Sequence, residues 1–332
     1  MKKLLSVAAT LGVASAIAFG AAPAYAADAP ALPTGQALYN IDCDTVAPQL
    51  WSFTVDGAST PVGSKGVEAN CAGGGQTNPV DGKSYIIAYA PNKADALATV
   101  DLTTGAITIV APINGAAGGA WQLIITNSGA AFISGDTGAS SSRLYGIDLT
   151  TATTTLIGSV APVNLGAMGY DYKTDTIYAF NRSNTRGVYT IDRTTGVATN
   201  TGLSGYWPTA TCLGGGTSAG RPDGVAFDAN GIAWIQSDSC NSNVMAFDPA
   251  SGNSWITGEL FDSTATKYTT SPFSYYSETF LIAPIVVNTP LPAPALASTG
   301  ADLRAVPLVG ISAAIAALLG VILLTSRRPR KA

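Results

Sequence analysis

Short apolar runs that end on an acid recur along the chain. "LWSFTVDGAST", "ALATVDLTTGAIT", "RLYGIDLTTATTT", "GVYTIDRTTGVAT" and "NVMAFDPASGNSW" align on Asp56, Asp101, Asp148, Asp192 and Asp248. Each aspartate has apolar residues one and three positions back, as in Tyr145/Ile147, Tyr189/Ile191 and Met245/Phe247. Several have another four back: Leu97, Leu144, Val188 and Val244. A strand apolar on both sides is covered on both sides. Shortly after the aspartate stands Gly105, Gly196 or Gly252, and then a new apolar stretch; the third segment has Ala152 instead. An aspartate that caps turn amides, followed by a glycine in the left-handed region, predicts a hairpin. A second hairpin lies upstream of several of these aspartates, as in "GVAFDANGIAWIQ", "GYDYKTDTIYAF" and "WQLIITNSGAAFIS".

Each unit therefore reads as four short antiparallel strands, A to D. The aspartate spacings are 45, 47, 44 and 56 residues. Units of this length, covered on both faces, predict an all-β fold, a β-propeller of about five four-stranded blades over residues 37–283. Six blades is the alternative count, and an array of β-sandwiches is the rival architecture. The chain resembles the broad class of bacterial surface propellers with Asp-x-x-Thr-Gly hairpins. The first unit, "ALYNIDCDTVAPQLWSFTVDGASTPVG", lacks a strand A, and the late stretch "SPFSYYSETFLIAP" can supply it and close the ring.

The 56-residue spacing holds an insertion, "GYWPTATCLGGGTSAG", at residues 205–220. An inserted loop bearing aromatics is a recognition element, so Tyr206 and Trp207 are the candidate binding residues. In the competing reading Trp207 packs on the blade edge. Trp121 reads two ways, as a neighbour on that face or as the start of a core strand.

The ends carry different patterns. Lys2 and Lys3, an apolar run from Leu4 and then Ala24-Tyr25-Ala26 form the three parts of a secretory signal peptide at residues 1–26. Cleavage falls between Ala26 and Ala27, leaving residues 27–36 as a leader. Near the other end, residues 306–325 contain no charge and predict a transmembrane helix, roughly 30 Å long. Residues 326–332 follow as a basic cytoplasmic tail with Arg327, Arg328, Arg330 and Lys331. Residues 284–295 are rich in proline, which predicts an extended, semi-rigid stalk.

Between stalk and span stand Leu296, Ala297, Ser298, Thr299 and Gly300. This pentapeptide, followed by an apolar span and a basic tail, resembles the cell-wall sorting signal of Gram-positive surface proteins. With Ala297 in place of the usual proline, it is similar to the Leu-Ala-x-Thr-Gly variant read by class E sortases of high-GC species. The resemblance covers residues 296–332. It implies cleavage between Thr299 and Gly300 and transfer of the Thr299 carbonyl to a peptidoglycan amine. The protein would then span the membrane only before sorting and reside on the wall surface. A plain membrane anchor is the alternative.

Processing changes the charge. The chain has 17 Lys and Arg against 21 Asp and Glu. Loss of Lys2, Lys3, Arg304, Arg327, Arg328, Arg330, Lys331 and Asp302 leaves 10 positive and 20 negative groups. Such an acidic product is unsuited to nucleic acid.

Four cysteines, Cys43, Cys71, Cys212 and Cys240, are expected to oxidise in an exported chain. In a propeller the B–C loops and D–A connections emerge on one face. That placement pairs Cys43 with Cys71 and Cys212 with Cys240, each across 28 residues. The chain-entropy model gives each bridge about 3–4 kcal/mol.

The chain has no histidine, which removes Ser-His-Asp and Cys-His relays. No cofactor or metal ligand set is evident. The reading is therefore a non-enzymatic surface protein that binds an extracellular glycan or protein, adheres, or coats. The alternative is a hydrolase of a cell-wall or extracellular polymer working through paired carboxylates.

Overall fold

The turn that follows each aspartate sets the blade geometry. Asp101 Oδ1 accepts the amides of Thr103 (2.8 Å) and Thr104 (3.1 Å), while Gly105 N donates back to the Asp101 carbonyl (2.8 Å). Asp148 and Asp192 repeat this with Thr150/Thr151 and Thr194/Thr195. In the third unit Ala152 takes the glycine's place at φ +54°, with its methyl fully buried. The first unit departs from the alignment: Thr54, two residues before Asp56, opens the turn, and Gly57 N closes it on the Thr54 carbonyl (2.9 Å). That turn is one residue shorter, which moves the opening residue off the aspartate register.

The computed structural model describes residues 29–41, 49–63, 71–89, 95–116, 119–136, 142–159, 167–181, 187–204, 209–211, 217–219, 222–237, 243–259, 261–262 and 280–283. The signal segment, the stalk, the sorting motif and the apolar span lie outside them, as do Cys43, Tyr206, Trp207, Cys212 and Cys240. Among the described residues no helix is long and apolar enough to cross a membrane.

In chain order the strands are β1 (Ala37–Ile41), β2 (Leu50–Phe53), β3 (Ala58–Val62), β4 (Cys71–Thr77), β5 (Ser84–Tyr89), β6 (Asp95–Val100) and β7 (Ile107–Pro112). Then come β8 (Ala120–Ile125), β9 (Ala131–Asp136), β10 (Ser142–Ile147), β11 (Thr154–Ser159), β12 (Ala167–Asp171), β13 (Thr176–Phe180), β14 (Gly187–Ile191) and β15 (Ala198–Ser204). The last are β16 (Thr209–Thr211), β17 (Thr217–Ala219), β18 (Pro222–Phe227), β19 (Ala233–Ser237), β20 (Asn243–Phe247), β21 (Ser254–Glu259), β22 (Phe261–Asp262) and β23 (Leu281–Ala283).

Blades two to five are the four-stranded meanders β4–β7, β8–β11, β12–β15 and β18–β21. Blade one is β23-β1-β2-β3, so the late segment does supply the innermost strand, with Ala37 opposite Ala283. The chain also touches the outer edge of this blade, where β22 pairs in parallel with β3. The fold is a five-bladed β-propeller closed by its own late strand, inside a unit that ends at Val287.

Five apolar layers fill the spaces between blades, because period-two alternation sends successive residues to opposite neighbours. Leu281 packs with Ile41, Leu50, Ile86 and Val100 towards blade two, whereas Phe280 and Ile282 pack with Leu38, Trp51, Phe53 and Trp234 towards blade five. Leu97 faces blade three beside Leu123, Ile133 and Tyr145, while Ala98 and Val100 face blade one.

The outer strands carry bulges at Val110, Ile157 and Thr257. A bulge bends a strand and increases its twist. Near each bend the next blade's turn docks on the outer strand. A Cβ on Gly158 would lie 2.1 Å from the Thr195 carbonyl oxygen, and one on Gly258 would lie 2.0 Å from that of Asp56. At the seam between blades two and three, Thr154 donates to the Asn114 carbonyl through N (3.1 Å) and Oγ1 (2.7 Å).

These seams predict unequal costs for Gly-to-Ala changes. Gly82→Ala, at φ +72° with open space around its Cβ, should cost about 1 kcal/mol from backbone strain alone. Gly158→Ala meets backbone of the next blade and should cost about 2–3 kcal/mol. Urea midpoints at constant slope measure both; equal losses would remove the seam contact as a determinant.

Candidate functional site

The inner strands also bulge, at the end of the axis where the B–C loops and D–A connections emerge. Gly73 and Gly74 oppose Ile87, Trp121 and Gln122 oppose Ser134, and Asp223 is the extra residue of β18. Bulges re-aim side chains, and Gln122 shows the result. Its Nε2 donates to the Asp223 carbonyl (2.7 Å), joining blade three to the non-adjacent blade five. Gly74 makes room for it, since a Cβ there would lie 2.6 Å from Gln122 Cα and Oε1. Asn40 Nδ2 donates to Gln236 Oε1 nearby, linking blades one and five.

The other end of the axis is bridged as well. Gln76 Nε2 donates to the Tyr172 hydroxyl (2.6 Å), and that hydroxyl donates to the Thr77 carbonyl (3.1 Å). Gln76 Oε1 accepts the Ile125 amide (2.8 Å), so three blades meet there. Burial drives the Tyr172 hydroxyl far above its ordinary pKa, which keeps it a neutral donor. Side-chain amides thus cross the axis at one end, and an amide and a phenol cross it at the other.

On the first face, Tyr89, Asp95 and Trp121 form a half-buried group. The Tyr89 hydroxyl donates to the Ala120 carbonyl (3.3 Å), and the Asp95 carboxylate accepts the Ala120 amide (2.6 Å). Burial raises the Asp95 pKa, and the Ala120 hydrogen bond opposes that rise. Trp121 satisfies both sequence readings, since it lies in the innermost strand and is half-buried on this face. Tyr89 and Asp95 escape sequence reasoning because they end and begin strands at a loop with no repeated motif. Among the described residues of the insertion, β16 and β17 pair as a separate two-stranded sheet, with Thr209 opposite Ala219. Cys71, expected in the D–A connection, is the first residue of β4.

The opposite face holds the A–B and C–D turns. Asp228 Oδ1 accepts the amides of Asn230 (2.8 Å) and Ile232 (3.0 Å), and its Oδ2 accepts Trp234 Nε1 (2.9 Å). Burial raises its pKa against those hydrogen bonds. The Tyr170 hydroxyl donates to Asp175, which Arg193 grips through Nη1 (2.9 Å) and Nη2 (2.5 Å). Burial first, then Asp175, pushes Tyr170 up to about 12. A groove of about 710 Å³ opens between blades one and two, lined by Tyr39, Asn78, Lys83, Thr99, Asp101 and Thr108 among others. Asp81, Asp101, Asp148, Asp171, Asp192, Asp228 and Asp248 in these turns hold backbone amides, whereas Asp56 and Asp175 bind side chains. Among the described residues no group of three or more acidic, histidine or cysteine side chains could hold a metal.

No protein-family model and no curated protein sequence matches the chain. Among solved structures it is similar to a chain of a nidogen/laminin complex, at 10% identity and a TM-score of 0.45 over 75% of this chain and 99% of that one. It is similar to TolB from Acinetobacter baumannii at 15% identity and a TM-score of 0.41, over 68% of this chain and 52% of that one, about half its length. A third is regucalcin, a calcium-binding protein from Agrobacterium tumefaciens, at 17% identity and a TM-score of 0.37 over 68% and 76% of the two chains. Likenesses this distant say nothing of function.

The turn carboxylates have a pH consequence. Amide hydrogen bonds hold the Asp101, Asp148 and Asp192 carboxyls below the ordinary range. Their stabilisation is present above the unfolded value of about 3.9 and is lost as pH falls through the lower folded values. Asp228 and Asp95, raised by burial, work the other way: their contribution is full below the unfolded value and is lost as pH rises through the folded one. The triple change Asp101→Asn, Asp148→Asn, Asp192→Asn keeps the acceptors and removes the charges. Below about pH 4 its urea midpoint should fall less steeply than that of the parent; parallel curves would assign the acid sensitivity elsewhere.

Proposed function

We propose that the chain is an exported surface protein, processed by a class E-like sortase and joined through Thr299 to a peptidoglycan amine, presenting its propeller for binding, adhesion or coating. One observation supports this reading above the rest: the pairing of Ala37 with Ala283. Strand β1 enters the propeller and β23 leaves it side by side, on the face of the A–B and C–D turns. A tether continuing from Ala283 leaves the opposite face free. That face carries Trp121, at the start of the inner strand of blade three. The side chains hydrogen-bonded across the axis support recognition on a face over turnover inside a channel.

Attachment is tested by mass spectrometry of enzymatically released wall fragments. The expected species ends at Thr299 and carries a peptidoglycan peptide. Recovery of residues 306–332 in the mature surface protein would replace wall linkage with a membrane anchor.

Recognition is tested at the insertion, with a glycan array and protein-ligand screen on residues 27–290. Changing Tyr206 and Trp207 together to Ala should leave the melting temperature nearly unchanged and weaken binding at least tenfold, or about 1.4 kcal/mol. An unfolded double variant would make Trp207 a core residue. A folded variant with parental affinity would move the site elsewhere on the protein.

A further inference from the structure

The groove between blades one and two is unused by anything above. It lies on the face where the chain leaves at Ala283, and Ala283 is part of its wall. Its volume of about 710 Å³ is within the usual range for small-ligand sites, roughly 300–1,000 Å³. Asn78 lines it and is 5% exposed. Its Oδ1 accepts the Val80 amide (3.0 Å), and its Nδ2 is open to water, since it is not one of the buried polar atoms without a partner. Such a donor can exchange its water for an incoming acceptor.

The remaining lining narrows the chemistry. Tyr39, Val100 and Ala283 supply apolar surface, and Thr99, Thr103 and Thr108 supply hydroxyls. Lys83 and Asp101 carry opposite charges, so the groove selects for neither an anion nor a cation. A neutral, hydroxyl-rich ligand with one amide carbonyl and a small apolar group matches this set. We infer that the groove binds N-acetylated hexosamine units of a glycan, with the acetamido carbonyl on Asn78 Nδ2 and a sugar face against Tyr39. That the glycan is the wall's own rests on the attachment proposed above; the chemistry of the groove does not. The tethered side of the protein would then hold the wall twice, covalently at Thr299 and reversibly here.

The test uses residues 27–290, whose ring is closed by its own strand β23. The probes are the β-1,4-linked tetramer of N-acetylglucosamine, the matching glucose tetramer, and glycan strands freed from purified wall by an amidase. Calorimetry should show binding of the first and third but not of the glucose tetramer, with the wall strands bound more tightly. Thr108→Arg fills the groove from an exposed position, and Asn78→Asp keeps the acceptor for Val80 while removing the donor. Each should weaken tetramer binding at least tenfold at an unchanged melting temperature. No binding by the parent, equal binding of the glucose tetramer, or parental affinity in Thr108→Arg overturns the site. Tighter binding of the tetramer than of wall strands overturns the wall as its source. Since the fragment 27–290 lacks residues 296–300, none of these outcomes bears on attachment, and failure of attachment in the mass spectra leaves the groove result standing.

Discussion

Everything in this fold depends on a three-residue strand arriving from the far end of the chain. Without β23, blade one has no inner strand, and two apolar layers lose their shared wall. Phe280, Leu281 and Ile282 are at most 2% exposed. At about 2 kcal/mol for each large buried side chain, their contribution approaches the whole net stability of a typical domain, ~5–15 kcal/mol. A ring also converts local strain into global strain, since each blade's position is set by the other four. The chain reinforces the joint at the outer edge, where β22 runs along β3. Blade one is thus held at both margins by residues that follow blade five.

The seams explain the composition. An Asp-x-x-Thr-Gly turn is tight because the carboxylate takes two amides and the glycine reverses the chain. A tight turn is short enough to lie on the bent outer strand of the preceding blade. There the partner must be bare backbone, as at Gly158 and Gly258, or must pair with the turn, as Asn114 does with Thr154. The turn carboxylates are therefore joints between blades as much as caps.

The period, the antiparallel hairpins and the supply of strand A by the late segment were all legible in the sequence, because hydrophobic alternation and turn chemistry are local. Three features were not. The shift of the first turn from Asp56 to Thr54 changes loop length by one residue, which an alignment on acids hides. The inner-strand bulges at Gly73-Gly74 and Trp121-Gln122 leave no periodic trace. The glutamines that cross the axis could be read only as polar interruptions of apolar strands. Each of these depends on blades far apart in sequence, so no window along the chain contains its cause. The candidate site was half legible: the insertion stood out as a break in the period, whereas Tyr89, Asp95 and the groove at Asn78 arise where separate blades meet.

Those same cross-axis residues divide the molecule's labour. Gln122 and Gln76 satisfy their amides against carbonyls, a phenol and a backbone N–H, so these two buried side chains stiffen the ring. A stiff ring holds its two faces in a constant relation. One face has short turns closed by aspartates and both ends of the propeller chain. The other has the longer connections and half-buried aromatics. Short capped turns have little freedom to reshape and suit a fixed boundary, while long connections on a rigid base can vary without disturbing the seams. Under the attachment proposed above, that asymmetry would place constancy next to the anchor and variability away from it.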